Sequence, residues 1–209
     1  MPGSGKSQLA DEVAMLRAGA RVVDIDGLRV MLEDWQTSPA TMAVARDHAC
    51  ELISDHLVSG DDVIVPQFVG RSEFVARLRS IAASHSASWI EVLVDVETET
   101  AVRRFQTRRA MLRRRGERHP ELEIPDDEIA NLIEQAGVAL SQRAKREPIT
   151  PVDGSDVRRS GRQVSELLNF YDRQSRDSPG AITDGVVTIR SPIDADRAAL
   201  LAKRDKRRC

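Results

Sequence analysis

Short β-rich runs alternate with longer amphipathic stretches along most of this 209-residue chain. The β-rich runs fall at 21–25, 62–65, 89–94 and 149–152. The stretches after them repeat apolar residues at the spacing of a helix, as Phe74, Leu78 and Ile81 do after the second run. Strands that alternate with helices favour a parallel sheet covered by helices on both faces. The sequence therefore predicts an α/β fold.

The composition is that of an ordinary globular protein. Hydrophobic residues make up 41% of the chain and charged residues 31%. The net charge of -2 gives no overall bias towards nucleic acid or a membrane surface. No apolar run approaches the roughly 18 residues that a membrane span needs, and the N-terminus lacks the pattern of a signal peptide. Cys50 and Cys209 indicate neither a disulfide framework nor a metal site, so we expect a cytoplasmic protein.

One domain is expected over residues 1–173, followed by an appendage over 174–209. The composition turns polar at 174–180, which is typical of a loop. Beyond this loop, 186–189 has the character of an isolated strand and 194–208 that of a charged helix. We expect the appendage to be weakly structured or disordered.

The residues before the first helical stretch form the strongest chemical signal. Residues 1–9 read MPGSGKSQL. Gly3 and Gly5 allow the backbone to curl so that successive N–H groups point at phosphate oxygens. The helix that opens near Lys6 adds its positive N-terminal end. This loop predicts a binding site for phosphate groups.

The side chains of the loop favour a nucleoside triphosphate. Lys6 can reach the β- and γ-phosphates, and the Ser7 hydroxyl can bind Mg²⁺. We therefore expect ATP or GTP together with Mg²⁺. The residues expected at the phosphates are Gly3, Ser4, Gly5, Lys6, Ser7 and Gln8.

The first part of the loop motif is missing from the sequence. The full pattern of a P-loop is G-x-x-x-x-G-K-[ST], and its first glycine would precede Met1. The central strand that aims such a loop is missing as well. A buried central strand cannot be removed without loss of hydrogen bonds on both sides. We therefore expect the natural protein to start upstream; the alternative is a truncated chain that folds poorly. We do not expect 186–189 to fill the gap.

Two acids and an arginine lie at the end of the first β-rich run: Asp24 within the run, and Asp26 and Arg29 after it. Asp26 lies directly after it and Arg29 three residues later, so one helical turn places both side chains at the same mouth. Asp26 is a candidate catalytic base for an acceptor hydroxyl, and Asp24 or Asp26 a candidate ligand of Mg²⁺. Arg29 is a candidate clamp for an acidic substrate. The alternative is that Asp26 caps a helix and that Arg29 is merely exposed.

Seven arginines crowd the helix expected at 97–115. Arginines stabilise the negative charge that phosphoryl transfer spreads over the transferred group. Arg104 and Arg108 share a helical face and are the preferred catalytic candidates, with Arg109 third. For most of the others the alternative is a solvated face or one that binds RNA. Arg71, after the second β-rich run, is a weaker candidate for a substrate contact.

With these residues the chain resembles the P-loop kinase family that includes zeta toxins, polynucleotide kinase, gluconate kinase and chloramphenicol phosphotransferase. The resemblance spans roughly residues 1–172. It rests on GSGKS at Gly3 to Ser7, on D-x-x-R at Asp26 and Arg29, and on R-x-x-x-R at Arg104 and Arg108. One departure is that Pro66 and Gln67 stand where the family has a second acid.

The resemblance implies a P-loop NTPase sandwich of three layers with a five-stranded parallel sheet between flanking helices. It also implies a nucleoside triphosphate donor, Mg²⁺, a mobile arginine lid and Asp26 as the catalytic base. Asp153, in the loop after the last strand, would contact the base of the nucleotide.

Three functions stay open at this point. The first is a kinase that transfers the γ-phosphoryl group to a hydroxyl of a small molecule or a nucleotide. The second is a kinase of nucleic-acid 5′-ends, which the arginine-rich helix favours. The third is a nucleotide-binding protein without catalytic activity. The sequence leaves the acceptor and the oligomeric state undetermined.

Overall fold

The computed structural model describes residues 2–33, 35, 38, 40–67, 72–147, 149–177 and 188–189, without the side chains of 72, 172–177 and 188–189. The helices within them are α1 (Lys6–Leu16), α2 (Ile25–Val30), α3 (Thr41–Val58), α4 (Ser72–Ser84), α5 (Thr98–Arg115), a 3-10 helix (Pro120–Glu123), α6 (Ile129–Ala144) and α7 (Val157–Asp177). The strands are β1 (Ala20–Val22), β2 (Asp62–Ile64), β3 (Trp89–Ile90), β4 (Val92–Asp95), β5 (Thr150–Asp153) and β6 (Thr188–Ile189).

The described strands form two sheets. The first has the order β1-β2-β6-β3, with β1 parallel to β2 and with β6 antiparallel to both of its neighbours. The second pairs β4 with β5 in parallel, so that Val94 lies opposite Val152. The α/β class expected from the sequence is therefore confirmed. The parallel strands, however, do not form one continuous sheet.

Helices cover both faces of the first sheet. Val63 and Trp89 pack into a core with α3 and α4, around Ile53 and Leu78. Their neighbours in the strands point to the opposite face, because side chains alternate along a strand. On that face Ile64 and Ile90 pack with residues of α1 and α7. The layered arrangement expected from the sequence is present around these strands.

β6 corrects an expectation. Residues 186–189 were not expected to enter the sheet, yet Thr188–Ile189 lies between β2 and β3, with Ile189 opposite both Val63 and Trp89. A strand here pairs backbone groups that β2 and β3 would otherwise leave without partners. The helix expected at 194–208 lies outside the described residues. α7 runs across the expected boundary between 173 and 174.

Close contacts fix α1 in place. A Cβ atom at Gly161 of α7 would lie 2.4 Å from the Cγ of Glu12, so the two helices approach closely. Arg17, which follows α1, forms an ion pair with Asp62 of β2 at 2.9 Å and donates to Asn169 of α7 at 3.0 Å. These contacts hold the helix that the N-terminal loop leads into. Residues 2–5, which precede it, form no strand.

In the part of the chain that the structure describes, no helix combines the length and the apolar character that a bilayer crossing requires.

Candidate functional site

Two glycines with positive φ shape the loop before α1. Gly3 has a φ of 73° and Gly5 a φ of 97°. Gly3 also has no room for a side chain, because a Cβ atom would lie 2.1 Å from the carbonyl oxygen of Ala101 in α5. Ser4, between the glycines, is completely buried. The loop is therefore fixed against the first turn of α5.

The loop after β5 holds the same segment from another direction. A Cβ atom at Gly154 would lie 2.9 Å from the carbonyl oxygen of Ser4, and the Gly154 N–H donates to Asp95 at 2.6 Å. Arg104 Nη1 donates to the Gly154 carbonyl at 2.7 Å. Three segments that are distant in the sequence therefore meet at the N-terminal loop.

A cavity of about 680 Å³ opens beside this loop, large enough for a small-molecule ligand. Its glycine wall consists of Gly3, Gly5, Lys6, Ser7 and Gln8. Its arginine wall comes from α5 and the residues after it, and includes Arg103, Arg104, Arg108, His119 and Glu121. Asp24 and Asp26 also line the cavity, as do Pro66 and Gln67 after β2. Most of the residues predicted from the sequence are thus brought together.

Lys6 carries the positive charge of the glycine wall. Burial, and after it the nearby Arg108 guanidinium, lower the pKa of its ammonium group to about 8. The carboxylates of Asp26 and Glu121 act in the opposite direction. Lys6 is therefore mostly protonated at neutral pH and can attract an anion into the cavity.

Asp24 and Asp26 lie at the start of α2. Asp24 caps this helix by accepting the N–H of Asp26 at 3.1 Å, so α2 begins at Ile25. Asp26 therefore lies in the first turn of the helix, and Asp24 rather than Asp26 is its cap. Burial raises the pKa of Asp26, and the negative charge of Asp24 raises it further.

The oxygen donors of Ser7, Asp24 and Asp26 fit a divalent cation. Burial and the repulsion between the two carboxylates, which together raise the pKa of Asp26, are both offset by such an ion. Mg²⁺ commonly binds one or two carboxylates and completes its shell with phosphates and water. Within the described residues, no group of three or more His, Cys, Asp or Glu side chains is arranged to hold a metal unaided.

Arg108 is held by a carboxylate that sequence reasoning missed. Its Nε donates to Glu121 Oε2 at 2.7 Å, and its Nη2 donates to Oε1 of the same group. The Glu121 N–H donates to His119 Nδ1 at 3.2 Å, which caps the 3-10 helix. The sequence HPE at His119 to Glu121, with a proline in the first helical turn, is the signal that predicts this turn.

Arg29 lies elsewhere. Its Nη2 donates to the carbonyl oxygen of Trp35 at 2.9 Å, and its Nε donates to Thr41 Oγ1 at 3.3 Å. The guanidinium groups of Arg29 and Arg118 both lie 5.5 Å from the centre of the buried Trp35 ring. Arg29 does not line the cavity, so the expectation that it shares a mouth with Asp26 is corrected: it binds Trp35 and Thr41 instead.

The other predicted residues have three different outcomes. Arg109 is buried in α5 and donates to Asp126 and to the Ile124 carbonyl, so it supports the fold rather than lining the cavity. Asp153 accepts the N–H of Ser155 at 2.8 Å, and hydrogen bonds from Ser155 lower its pKa. Its contact with a nucleotide base stays a prediction. Arg71 lies outside the described residues.

Neither a scan against models of known protein families nor a search of curated proteins found a match for this chain. The resemblance to P-loop kinases therefore stays a prediction based on the residues of the cavity.

Proposed function

We propose that this protein binds a nucleoside triphosphate with Mg²⁺ and transfers its γ-phosphoryl group to a hydroxyl of a small molecule or nucleotide. The observation that carries this proposal is the meeting, in one cavity, of the glycine wall, two carboxylates and the arginine wall. A P-loop NTPase sandwich, with helices on both faces of the sheet, is part of the same proposal.

The glycine wall supports the phosphate-binding part. Gly5 is the N-cap of α1, and as a glycine it has no side chain that could cap the first turn. The N–H groups at the start of a helix are suitable donors for phosphate oxygens, and the helix dipole favours negative charge there. Lys6 adds a positive charge beside them. The backbone N–H groups would orient a triphosphate, and the charge would attract it.

The carboxylates and arginines support the transfer part. Asp26, ionised above its raised pKa, would accept the proton of the acceptor hydroxyl as its oxygen attacks the γ-phosphorus. The bond from that phosphorus to the bridging oxygen then breaks and leaves a nucleoside diphosphate. Arg104 and Arg108 would stabilise the charge on the transferred group. Mg²⁺, held by Ser7 and Asp24 while Asp26 acts as the base, would neutralise charge on the phosphates.

The first test is the binding of MgATP measured by calorimetry. Lys6→Ala should weaken binding by about 10- to 100-fold, as expected for the loss of a charged hydrogen-bonding group. Lys145→Ala is the matched control, because Lys145 is exposed and does not line the cavity. A folded wild-type protein that ignores MgATP would contradict the proposal.

The second test separates binding from chemistry. Asp26→Asn should keep the affinity for MgATP and lower the rate of phosphoryl transfer or ATP hydrolysis by about 10²- to 10⁴-fold. Asp11→Asn, on the exposed side of α1, is the control. Equal rates in the two variants would remove Asp26 from the mechanism.

One observation favours a nucleic-acid acceptor as a second candidate. Arg103 is exposed on α5 and lines the same cavity as Asp26, so a phosphate backbone could approach along it. A 5′-hydroxyl oligonucleotide therefore belongs among the acceptors tested. If it is the acceptor, Arg103→Gln should raise its KM and leave ATP hydrolysis in water unchanged.

A further inference from the structure

The pair between Arg108 and Glu121 has a side-on geometry. Arg108 uses Nε and Nη2, and each contacts one of the two carboxylate oxygens. The third guanidinium nitrogen, Nη1, takes no part in this pair. A bidentate pair fixes the plane of the guanidinium group as well as its position. Glu121 therefore determines where the remaining donors of Arg108 lie.

The chain places Glu121 with local support. Pro120 opens the 3-10 helix and His119 caps it by accepting the backbone N–H of Glu121. The side chain of Glu121 is only 16% exposed, against 42% for Arg108. The carboxylate of Glu121 is thus the more firmly held partner, and it orients the guanidinium group of Arg108.

Glu121 also lies within electrostatic reach of the proposed reaction centre. Burial is the largest influence on the pKa of both Lys6 and Asp26, and the charge of Glu121 raises both values. This distinguishes the pair from the exposed ion pair of Arg115 and Glu117 at the end of α5, whose side chains are 71% and 47% exposed.

We propose that Glu121 is a positioning residue: it holds Arg108 side-on so that Nη1 is presented to the phosphoryl group during transfer. The inference rests on the proposed function and adds a residue that acts through Arg108. An arginine side chain has many rotamers, and a misplacement of about 1 Å can cost about 100-fold in rate. Glu121 would prevent that loss and leave binding of the nucleotide diphosphate portion unchanged.

The test compares Glu121→Gln with Glu123→Gln. Glu123 lies in the same 3-10 helix, is exposed and does not line the cavity, so its variant makes the same change of charge without touching Arg108. The measurements are MgATP hydrolysis and the affinity for MgADP with and without aluminium fluoride, a mimic of the phosphoryl group in flight. Thermal melting checks that both variants are folded; Glu121→Asp replaces the glutamine variant if that one is unstable.

We expect Glu121→Gln to lower kcat for hydrolysis by about 10- to 100-fold. KM for MgATP and the affinity for MgADP should stay within about twofold, because the lost interaction acts only in the transition state. The extra affinity contributed by aluminium fluoride should be lost. The double variant with Arg108→Ala should be no slower than Arg108→Ala alone, since both changes remove one function.

Three results would overturn the inference while leaving the proposed function in place, and a fourth would remove both. If the Glu121→Gln variant hydrolyses ATP as fast as the Glu123→Gln variant, Glu121 does not position Arg108 for the reaction. Losses that multiply in the double variant mean that Glu121 acts independently of Arg108. Tighter nucleotide binding and faster turnover in Glu121→Gln mean that the carboxylate competes with phosphate. A wild-type protein that binds neither MgATP nor MgADP removes the proposed function itself, and the inference with it.

Discussion

The glycine wall and the arginine wall of the cavity differ in what holds them. Gly3 of the glycine wall, and Gly154 behind it, lie against backbone atoms at distances that leave no space for a side chain. Arg108, in the arginine wall, is held by the carboxylate of Glu121 and is partly exposed. Solvent cannot relieve a steric clash, whereas water, salt ions and ligands can replace the partners of an ion pair. We therefore expect the glycine wall to be rigid and the arginine wall to respond to what binds.

The largest effect is expected for Gly3→Ala. The substitution combines a positive φ with a Cβ atom 2.1 Å from the Ala101 carbonyl oxygen, and should lower the free energy of unfolding by about 2–5 kcal/mol. Gly116→Ala is the control on the arginine wall side, because Gly116 has a φ of 64° and nothing within 4 Å of its Cβ position. Urea unfolding compares the two; equal losses would contradict the steric account.

Within α5, Arg109→Met should cost more stability than Arg103→Met. Arg109 is buried and donates to the Ile124 carbonyl, which would be left unpaired at a cost of about 1–3 kcal/mol. Arg103 is exposed, so its replacement should change stability by less than about 0.5 kcal/mol. Chemical denaturation measures the stability of both variants. Similar midpoints would show that the buried hydrogen bonds of Arg109 do not stabilise α5.

The pH dependence of nucleotide binding tests the charge on the glycine wall. The pKa of Lys6 is lowered to about 8, so affinity for MgATP should fall above that pH, by at most about tenfold per pH unit. Lys6→Arg stays charged and should show a flat profile if it binds at all.

The stability of the protein without ligand should change with pH in the opposite direction to the affinity for MgATP. The folded protein binds fewer protons at Lys6 than the unfolded chain between pH 8 and 10.5, so the contribution of this group to stability rises across that window. Calorimetry for binding and thermal melting for stability should therefore show opposite trends. Parallel trends would exclude Lys6 as the titrating group.

The smallest effect is expected at the exposed C-terminal end of α5, beyond the residues that line the cavity. Arg115 and Glu117 form an ion pair at 3.4 Å with both side chains largely in solvent. Arg115→Gln should change the unfolding free energy by less than about 0.5 kcal/mol, and added salt should reduce that difference further. A larger effect would mean that the surface charges of α5 stabilise the fold collectively.

The sequence predicted the glycine wall better than the arginine wall. The expected loop and helix are found at Gly3 to Lys6, because glycine conformation and helix periodicity are local properties. α4 was predicted from the helical spacing of Phe74, Leu78 and Ile81. These elements depend on neighbours in the chain, which the sequence displays directly.

Contacts between residues that are distant in the sequence could not be predicted from local patterns. Arg29 was placed in the site by its spacing from Asp26, but it packs on Trp35 instead. Glu121 was missed because nothing in the spacing indicates that a carboxylate after the end of α5 returns to Arg108. Ile189 was not expected in the sheet because its partners Val63 and Trp89 lie far away in the chain. Such contacts depend on the folded topology.

The stacking of Arg118 on Trp35 makes the fluorescence of Trp35 an intrinsic probe of the segment that contains Arg118. Arg118 directly precedes His119 and Glu121, so a shift of that segment alters the charge beside one of only two indole rings in the chain. Trp89, the other indole, is buried in β3 beneath Arg79. Emission from the wild-type protein minus that of Trp35→Phe would therefore follow the segment in real time, without an attached dye.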